Sequence, residues 1–237
     1  MRLVVTRPQD DSERSALTLR ARGHEVLVAP LMRIEAVNAD LRPHWGAIII
    51  TSANAAAAIA THPLRAQLTR LPVYAVGRRS ADAARAAGFA DVTSAGGDLR
   101  DLMLMIAEHR PDKHAPLLYL AGEDRSGDLI GDLAVHGIAA ELAVIYRAVT
   151  GPFPPELIAA LQAGQVDGVL HFSKRSADNY VDGAKKAGID AQALNIRHFC
   201  LSSQIAEPLV AAGAARIAVA KRPDEAALIA LVDAAKA

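Results

Sequence analysis

Tyr146 and Arg147 stand inside an otherwise apolar run, "ELAVIYRAVT" (141–150), in a chain with only four tyrosines and 4% aromatic residues. A phenol in such a run is either a half-buried strand aromatic or a proton donor, because a tyrosine hydroxyl can act as a general acid. The other candidate groups gather in short polar loops. These are Thr6-Arg7-Pro8, Thr51-Ser52-Ala53-Asn54, Gly77-Arg78-Arg79-Ser80, Gly122-Glu123-Asp124-Arg125-Ser126-Gly127, Ser173-Lys174-Arg175-Ser176 and Ser202-Ser203-Gln204. Each places hydroxyls or a glycine at the start of a helix-period segment, where unpaired amides attract carboxylate or phosphate. Plain N-capping explains any one hydroxyl. Six such loops with Arg7, Arg78, Arg79, Arg125, Lys174 and Arg175 among them point to a cleft lined by anion-binding groups.

Familiar catalytic signatures are missing. The chain has no G-x-G-x-x-G, no Walker loop and no nucleophile elbow. Its eight histidines show no close metal-ligand pairing, and a single cysteine, Cys200, cannot build a structural zinc site. His171, at a strand end before Ser173, reads as a structural histidine, and Cys200, inside an apolar run, reads as an inert buried thiol. Trp45 reads as a packing anchor.

The elements that must position these groups follow from hydrophobic period. "RLVVT" (2–6), "EVLVA" (25–29), "AIIIT" (47–51), "PVYAV" (72–76), "PLLYLA" (116–121), "VDGVLHF" (166–172) and "RHFCL" (197–201) are continuous apolar runs, as in strands covered on both faces. Ala- and Leu-rich segments between them end at Gly23, Gly88, Gly137, Gly188 and Gly213, the residue type that closes helices. Repeated strand–helix–Gly–strand units specify an α/β fold with parallel sheets, whose ligands bind beyond the carboxyl ends of the strands.

The chain also resembles itself. "RLVVTRPQDDSERSALTLRARGHEV" parallels "PLLYLAGEDRSGDLIGDLAVHGIAAEL", "AIIITSANAAAAI" parallels "GVLHFSKRSADNYV", and "VYAVGRRSADAARAAGFADV" parallels "HFCLSSQIAEPLVAAGAARI". "GGDLRDLMLMI" likewise parallels "RPDEAALIALV". The offset is roughly 115–125 residues throughout. We expect two similar flavodoxin-like lobes, each a parallel sheet flanked by helices. The extended stretches near 30–37 and 143–150 would join them, with Tyr146 at the hinge.

Composition narrows the partners. The 237 residues are 51% hydrophobic, and 26 basic side chains balance 26 acidic ones. No basic run favours nucleic acid, which requires a surface that displaces counterions. No apolar stretch reaches the roughly 18 residues of a membrane span, and the N-terminal apolar run is too short for a signal peptide. One cysteine fits a reducing compartment. The expectation is a cytoplasmic monomer whose partner is a small anionic molecule.

Taken in order, "LVVTRP", "HEVLVAPLMRIEAV", "AIIITSANAAAAI", "VYAVGRRSADAARAAGF", "LLYLAGEDR" and "VIYRAV" resemble the uroporphyrinogen-III synthase family over nearly the whole chain. The resemblance implies an enzyme of haem biosynthesis that takes linear hydroxymethylbilane, removes water, closes the macrocycle and inverts ring D, without cofactor or metal. It implies a discontinuous first lobe, 1–35 plus 148–237, and a second lobe, 36–147. Tyr146 matches the family's proposed acid. Arg7 matches its first-loop arginine, Ser52 and Asn54 its "TS-x-N" loop, and Gly77 and Ser80 its turn after the fourth strand, with Ser80 replacing a usual threonine. Gly122, Arg125, Ser173, Ser176 and Ser203 complete the expected substrate-binding set. The departures are Ala55 for glycine, Lys174-Arg175 for a proline-bearing turn, Ser202 for glycine and Ile205 for threonine. The competing readings are a two-lobed binding or sensor protein for a small anion, which needs no hinge tyrosine, and a sugar-phosphate enzyme, which would favour a Gly-rich loop.

Overall fold

The structure is a computed structural model that describes residues 1–42, 44–109, 114–125 and 127–235. β1 (Arg2–Val5) leads through α1 (Gln9–Arg20) to β2 (Glu25–Val28), and β3 (Met32–Ala36) follows with no helix between. Alternation resumes with β4 (Ala47–Ile50), α2 (Ala53–Ala60), α3 (Arg65–Leu68), β5 (Val73–Ala75), α4 (Arg78–Ala87), β6 (Val92–Ser94) and α5 (Leu99–His109). β7 (Leu117–Gly122), α6 (Leu129–Val135) and the long β8 (Ala140–Thr150) come next. The chain ends through α7 (Pro155–Gln162), β9 (Gly168–His171), α8 (Lys174–Lys186), α9 (Asp190–Leu194), β10 (Arg197–Cys200), α10 (Ser203–Ala211), β11 (Ile217–Val219) and α11 (Glu225–Ala234).

The five glycines expected to close helices all have positive φ, from 66° at Gly188 to 104° at Gly88. At Gly88 the amide closes α4 onto the Arg85 carbonyl at 3.0 Å, a turn that a Cβ would strain.

Two sheets result, ordered β11-β10-β9-β1-β2 and β6-β5-β4-β7-β8-β3. All four pairings of the first are parallel, as are the β4–β5, β4–β7, β5–β6 and β7–β8 pairings of the second. Numbering β1, β2, β9, β10 and β11 as strands one to five gives the 2-1-3-4-5 order of flavodoxin-like sheets. β7, β8, β4, β5 and β6 give the same order in the second sheet, strand for strand as the internal repeat pairs them. Two compact units carry these sheets: Met1–Arg33 with the chain from Val149 onward, and Ile34–Ala148.

The stretches read as linkers are themselves strands. β3 and β8 lie side by side at one edge of the second sheet. The Val37 amide donates to the Ile145 carbonyl at 2.8 Å, and Arg147 pairs with Glu35 at 3.2 Å. An extended run without a following helix still has donors and acceptors to satisfy, and a neighbouring edge satisfies them. The short outer strands β6 and β11 lacked an apolar run long enough to stand out in the sequence.

Each sheet is covered on both faces, which is why the central strands are apolar throughout. Along β4, Ile48 and Ile50 pack with α2, α3 and α4, while Ala47 and Ile49 pack with α5 and α6. In the first unit Val4 and Val169 face α7 to α10, and Leu3, Val5 and Leu170 face α1 and α11. Trp45 anchors its core through an Nε1–H bond to the Leu41 carbonyl at 2.9 Å. Burial pushes the Cys200 thiol up to about 12, so it is a packing residue.

A buried imidazole pair joins β9 to β10. His171 Nε2 and His198 Nδ1 are 3.1 Å apart, and the edge of Tyr180 meets both rings. Burial, and secondarily its neighbour, holds His171 well below the ordinary value of 6.5. Burial holds His198 at about 4 against the pull of the Leu194 and Ala193 carbonyls. Both are therefore neutral in the folded protein at neutral pH, whereas the unfolded chain takes up protons below 6.5. Stability from this pair is complete above that pH and is lost as pH falls from there toward about 4. The loss amounts to up to about 1.4 kcal/mol per pH unit for each imidazole. Urea unfolding followed by circular dichroism should show the midpoint falling between about pH 7 and pH 5; a midpoint that stays constant contradicts neutral burial.

Candidate active site

Parallel strands end together, so the loops singled out by sequence lie along the carboxyl edges of the two sheets. In the second unit the register aligns Ile50 with Ala75 and with Leu120, and Gly122 with Tyr146. The edge therefore presents, on adjacent strands, Tyr146 of β8, Gly122 of β7, Ser52 after β4 and Gly77 after β5. Three strand spacings separate β8 from β5, about 14 Å.

α2 and α4 start at this edge and pack directly on each other. The residues they bury are mostly small: Ala55 and Ala56 of α2 beside Ile59, and Ser80, Ala81, Ala84 and Ala87 of α4. Such side chains let two helices approach closely and bring their N-termini together. The Ser52 hydroxyl caps α2 by accepting from the Asn54 amide at 3.2 Å. α4 starts differently. Its cap residue is Gly77, with no side chain to satisfy the first-turn amides. Gly77 has an ordinary extended backbone, φ −147°, and no described atom lies within 4 Å of where its Cβ would stand. Neither conformation nor packing requires a glycine there. What it leaves is a helix start with no capping side chain, an arrangement suited to an incoming carboxylate.

Tyr146 reaches this same face through an irregularity. Strict alternation along β8 would put Ile145 and Tyr146 on opposite sides of the sheet. The β7–β8 register instead shifts between Ala121 and Gly122, so Val144 opposes Ala121 and Tyr146 opposes Gly122. A bulge of this kind re-aims a side chain. Ile145 and Tyr146 consequently both pack against the core under α2 and α4, Ile145 fully buried and Tyr146 partly exposed. Arg147 is exposed and engaged with Glu35. The turn after β7 is braced: the Glu123 amide donates to the Tyr146 carbonyl at 2.9 Å, and Arg125 Nη1 donates to the carbonyls of Gly122 and Glu123 at 3.0 and 3.1 Å. Ser126 of the same loop lies outside the described residues.

The corresponding edge of the first unit carries Arg7, Ser173, Ser176 and Ser203. Ser173 caps α8, accepting from the Ser176 amide at 3.1 Å, and the two hydroxyls are 2.9 Å apart. Ser176 is buried, so this hydroxyl serves the cap. Arg7 is also absorbed. It lies 3.4 Å from Glu225, 3.5 Å from Asp11 and 3.2 Å from the Ser15 hydroxyl, and its guanidinium stacks over Phe172 at 4.3 Å. Ser203 is exposed at the start of α10, where Ser202 makes no capping bond. Sequence reading missed Glu225 as a partner of Arg7 because it lies 218 residues away. It also missed Tyr119, whose hydroxyl meets that of Thr51 at 3.0 Å. Neither partner has a local signature. No group of three or more His, Cys, Asp and Glu side chains suited to a metal occurs among the described residues.

Comparison with known proteins bears on this geometry. The profile of the family described as "Uroporphyrinogen-III synthase HemD" matches residues 13–230. No significant match was found among curated proteins. Among solved structures, the uroporphyrinogen-III synthetase of Helicobacter pylori 26695 is similar, with a TM-score of 0.65 at 17% identity over 99% of this chain and 100% of that one. That likeness establishes a shared fold. The uroporphyrinogen III synthase of Thermus thermophilus gives a TM-score of 0.43 at 17% identity over 100% of both chains. With two flavodoxin-like sheets in place and the family profile spanning all but the chain's ends, this protein belongs to the uroporphyrinogen-III synthase family.

Proposed function

We propose that this synthase carries out its chemistry at the carboxyl edge of the second unit's sheet, with Tyr146 as the proton donor. The family reaction is that of a lyase in tetrapyrrole biosynthesis: linear hydroxymethylbilane loses water and closes into uroporphyrinogen III. One observation carries the placement. The β8 bulge turns a partly exposed tyrosine onto the core face under α2 and α4, at the same sheet edge where α4 starts at Gly77 without a capping side chain.

The substrate makes sense of that arrangement. Hydroxymethylbilane bears eight carboxylates, and helix-start amides and hydroxyls bind such groups without a metal. Ser52, Asn54 and the helix start at Gly77 would hold side-chain carboxylates in place, with Ser80, buried in the first turn of α4, supporting that start from within. The Tyr146 hydroxyl would hydrogen-bond to the departing hydroxyl oxygen and pass it a proton as the C–O bond breaks. The adjacent pyrrole supplies the electron pair that expels water, leaving an azafulvene-like cation. Ring D then attacks through its substituted carbon and forms a spiro species, whose rearrangement inverts the ring. Holding ring D so that this carbon reacts is a problem of positioning rather than of strong acid catalysis. Gly122 and Arg125 lie next to Tyr146 and would frame the reacting end, while Ser203 and the neighbouring helix starts provide similar anion-binding groups in the first unit. Arg7, Ser173 and Ser176 support that edge through the contacts described above. We further propose a monomer working in the cytoplasm; among the described residues no helix is long and apolar enough to cross a membrane.

Given freshly prepared hydroxymethylbilane, the purified protein should produce the type III isomer ahead of the spontaneous type I product. Type I alone at every enzyme concentration would refute the assignment. Tyr146→Phe should lower turnover tenfold or more, about 1.4 kcal/mol of barrier, with an unchanged circular dichroism spectrum. Wild-type turnover would leave Tyr146 as a packing residue. Gly77→Ala should keep the wild-type melting temperature, since the added methyl meets no described atom, yet raise KM several-fold by crowding the amides. An unaltered KM would remove the α4 N-terminus from the binding site.

A further inference from the structure

Gly122 was read from sequence as a direct substrate contact, but its surroundings give it another role. It is buried, and it is absent from the residues with positive φ, so its backbone conformation does not call for glycine. The space above it does. A methyl group built on Gly122 would lie 2.6 Å from Cζ, 2.7 Å from Cε2 and 2.9 Å from the hydroxyl oxygen of Tyr146. All three are well inside the roughly 3.5 Å at which such atoms come to rest. The outer end of the phenol ring therefore occupies the space above a backbone that only glycine leaves bare.

Two further contacts hold that surface steady. The Glu123 amide is bonded to the Tyr146 carbonyl, tying the turn to the strand that bears the ring. Arg125 fixes the Gly122 and Glu123 carbonyls from the other side. The bulge sets the direction of Tyr146 from its Cα, whereas Gly122 sets where its hydroxyl ends.

We propose that Gly122 is a positioning residue of this synthase: by lacking a side chain it seats the Tyr146 ring, and so determines where the phenol O–H points. The proposal rests on Tyr146 being the proton donor only for its kinetic consequence; the seating itself is independent of that role. An added methyl must push the ring's outer end away, because the atoms it meets are the tip of a side chain rather than fixed backbone. Turnover then suffers while substrate binding does not.

The test combines kinetics on hydroxymethylbilane with ring signals from protein labelled in tyrosine. Gly122→Ala should lower kcat tenfold or more, leave KM within about threefold, and cause no further loss when added to Tyr146→Phe. Wild-type kcat, or a loss that multiplies in full with that of Tyr146→Phe, overturns the proposal. In the nuclear magnetic resonance spectrum, Gly122→Ala should shift the Tyr146 ring signals and leave those of Tyr74, Tyr119 and Tyr180 in place; unmoved Tyr146 signals overturn it whatever the kinetics. Should Tyr146→Phe retain full turnover, the acid role of Tyr146 falls and the ring signals alone decide the role of Gly122. Where Gly122→Ala lowers the melting temperature, it should do so in the Tyr146 chain and not in a Tyr146→Ala chain. Equal lowering in both overturns the proposal.

Discussion

Parallel strand pairing constrains everything else in this protein. A parallel pair cannot be closed by a tight turn, so each strand must return through a crossover, and the helices of those crossovers cover both faces of the sheet. The five parallel strands of each sheet then end at the same edge, and the crossover helices that follow them begin there. First-turn amides without intrahelical partners are thereby collected along one line. This chain builds that arrangement twice, with the same 2-1-3-4-5 order. A ligand rich in carboxylates is what such an edge is fitted to hold, and the edge forms before any particular side chain is chosen.

Small side chains refine it. The chain is poor in aromatics and rich in alanine, which lets α2 and α4 pack closely, with Ala55, Ala56 and Ala84 in one core cluster. Ala55, where the family often has glycine, is fully buried in this contact. Glycine has two distinct uses at the edge. At Gly77 the missing side chain leaves the start of α4 without a cap, and at Gly122 it leaves room for a ring. Charge at the edge is not by itself a binding group. Arg7, which stands where a substrate contact was expected, is surrounded by Asp11, Glu225, Ser15 and Phe172, and its contacts fasten α1 to α11 and to the end of β9.

Much of this was legible in the residues. Continuous apolar runs marked the central strands, since a strand covered on both faces has no polar period. Positive-φ glycines closed the helices where the sequence placed them, because the left-handed turn is a local backbone requirement. The internal repeat identified which strands correspond, and it held because each repeat is one self-consistent supersecondary unit. The loops carrying Ser52, Gly77, Gly122 and Ser203 were recognisable for the same reason: caps and turns depend on residues only a few positions apart.

Other features depended on atoms far apart in sequence. β3 and β8 read as connections, and only their pairing made them strands. His171 met His198, and Arg7 met Glu225, across separations that no local pattern encodes. Strict alternation along β8 would put Tyr146 on the face opposite Ile145, whereas the shifted register against β7 puts both on one face. By itself, then, the sequence determined the fold class, the repeat and the set of loops at the strand ends, all of which follow from local period and backbone conformation. Tertiary structure alone decided which way Tyr146 points and what Gly122 is for, because a side chain's direction in a bulged strand is set by the neighbour it pairs with.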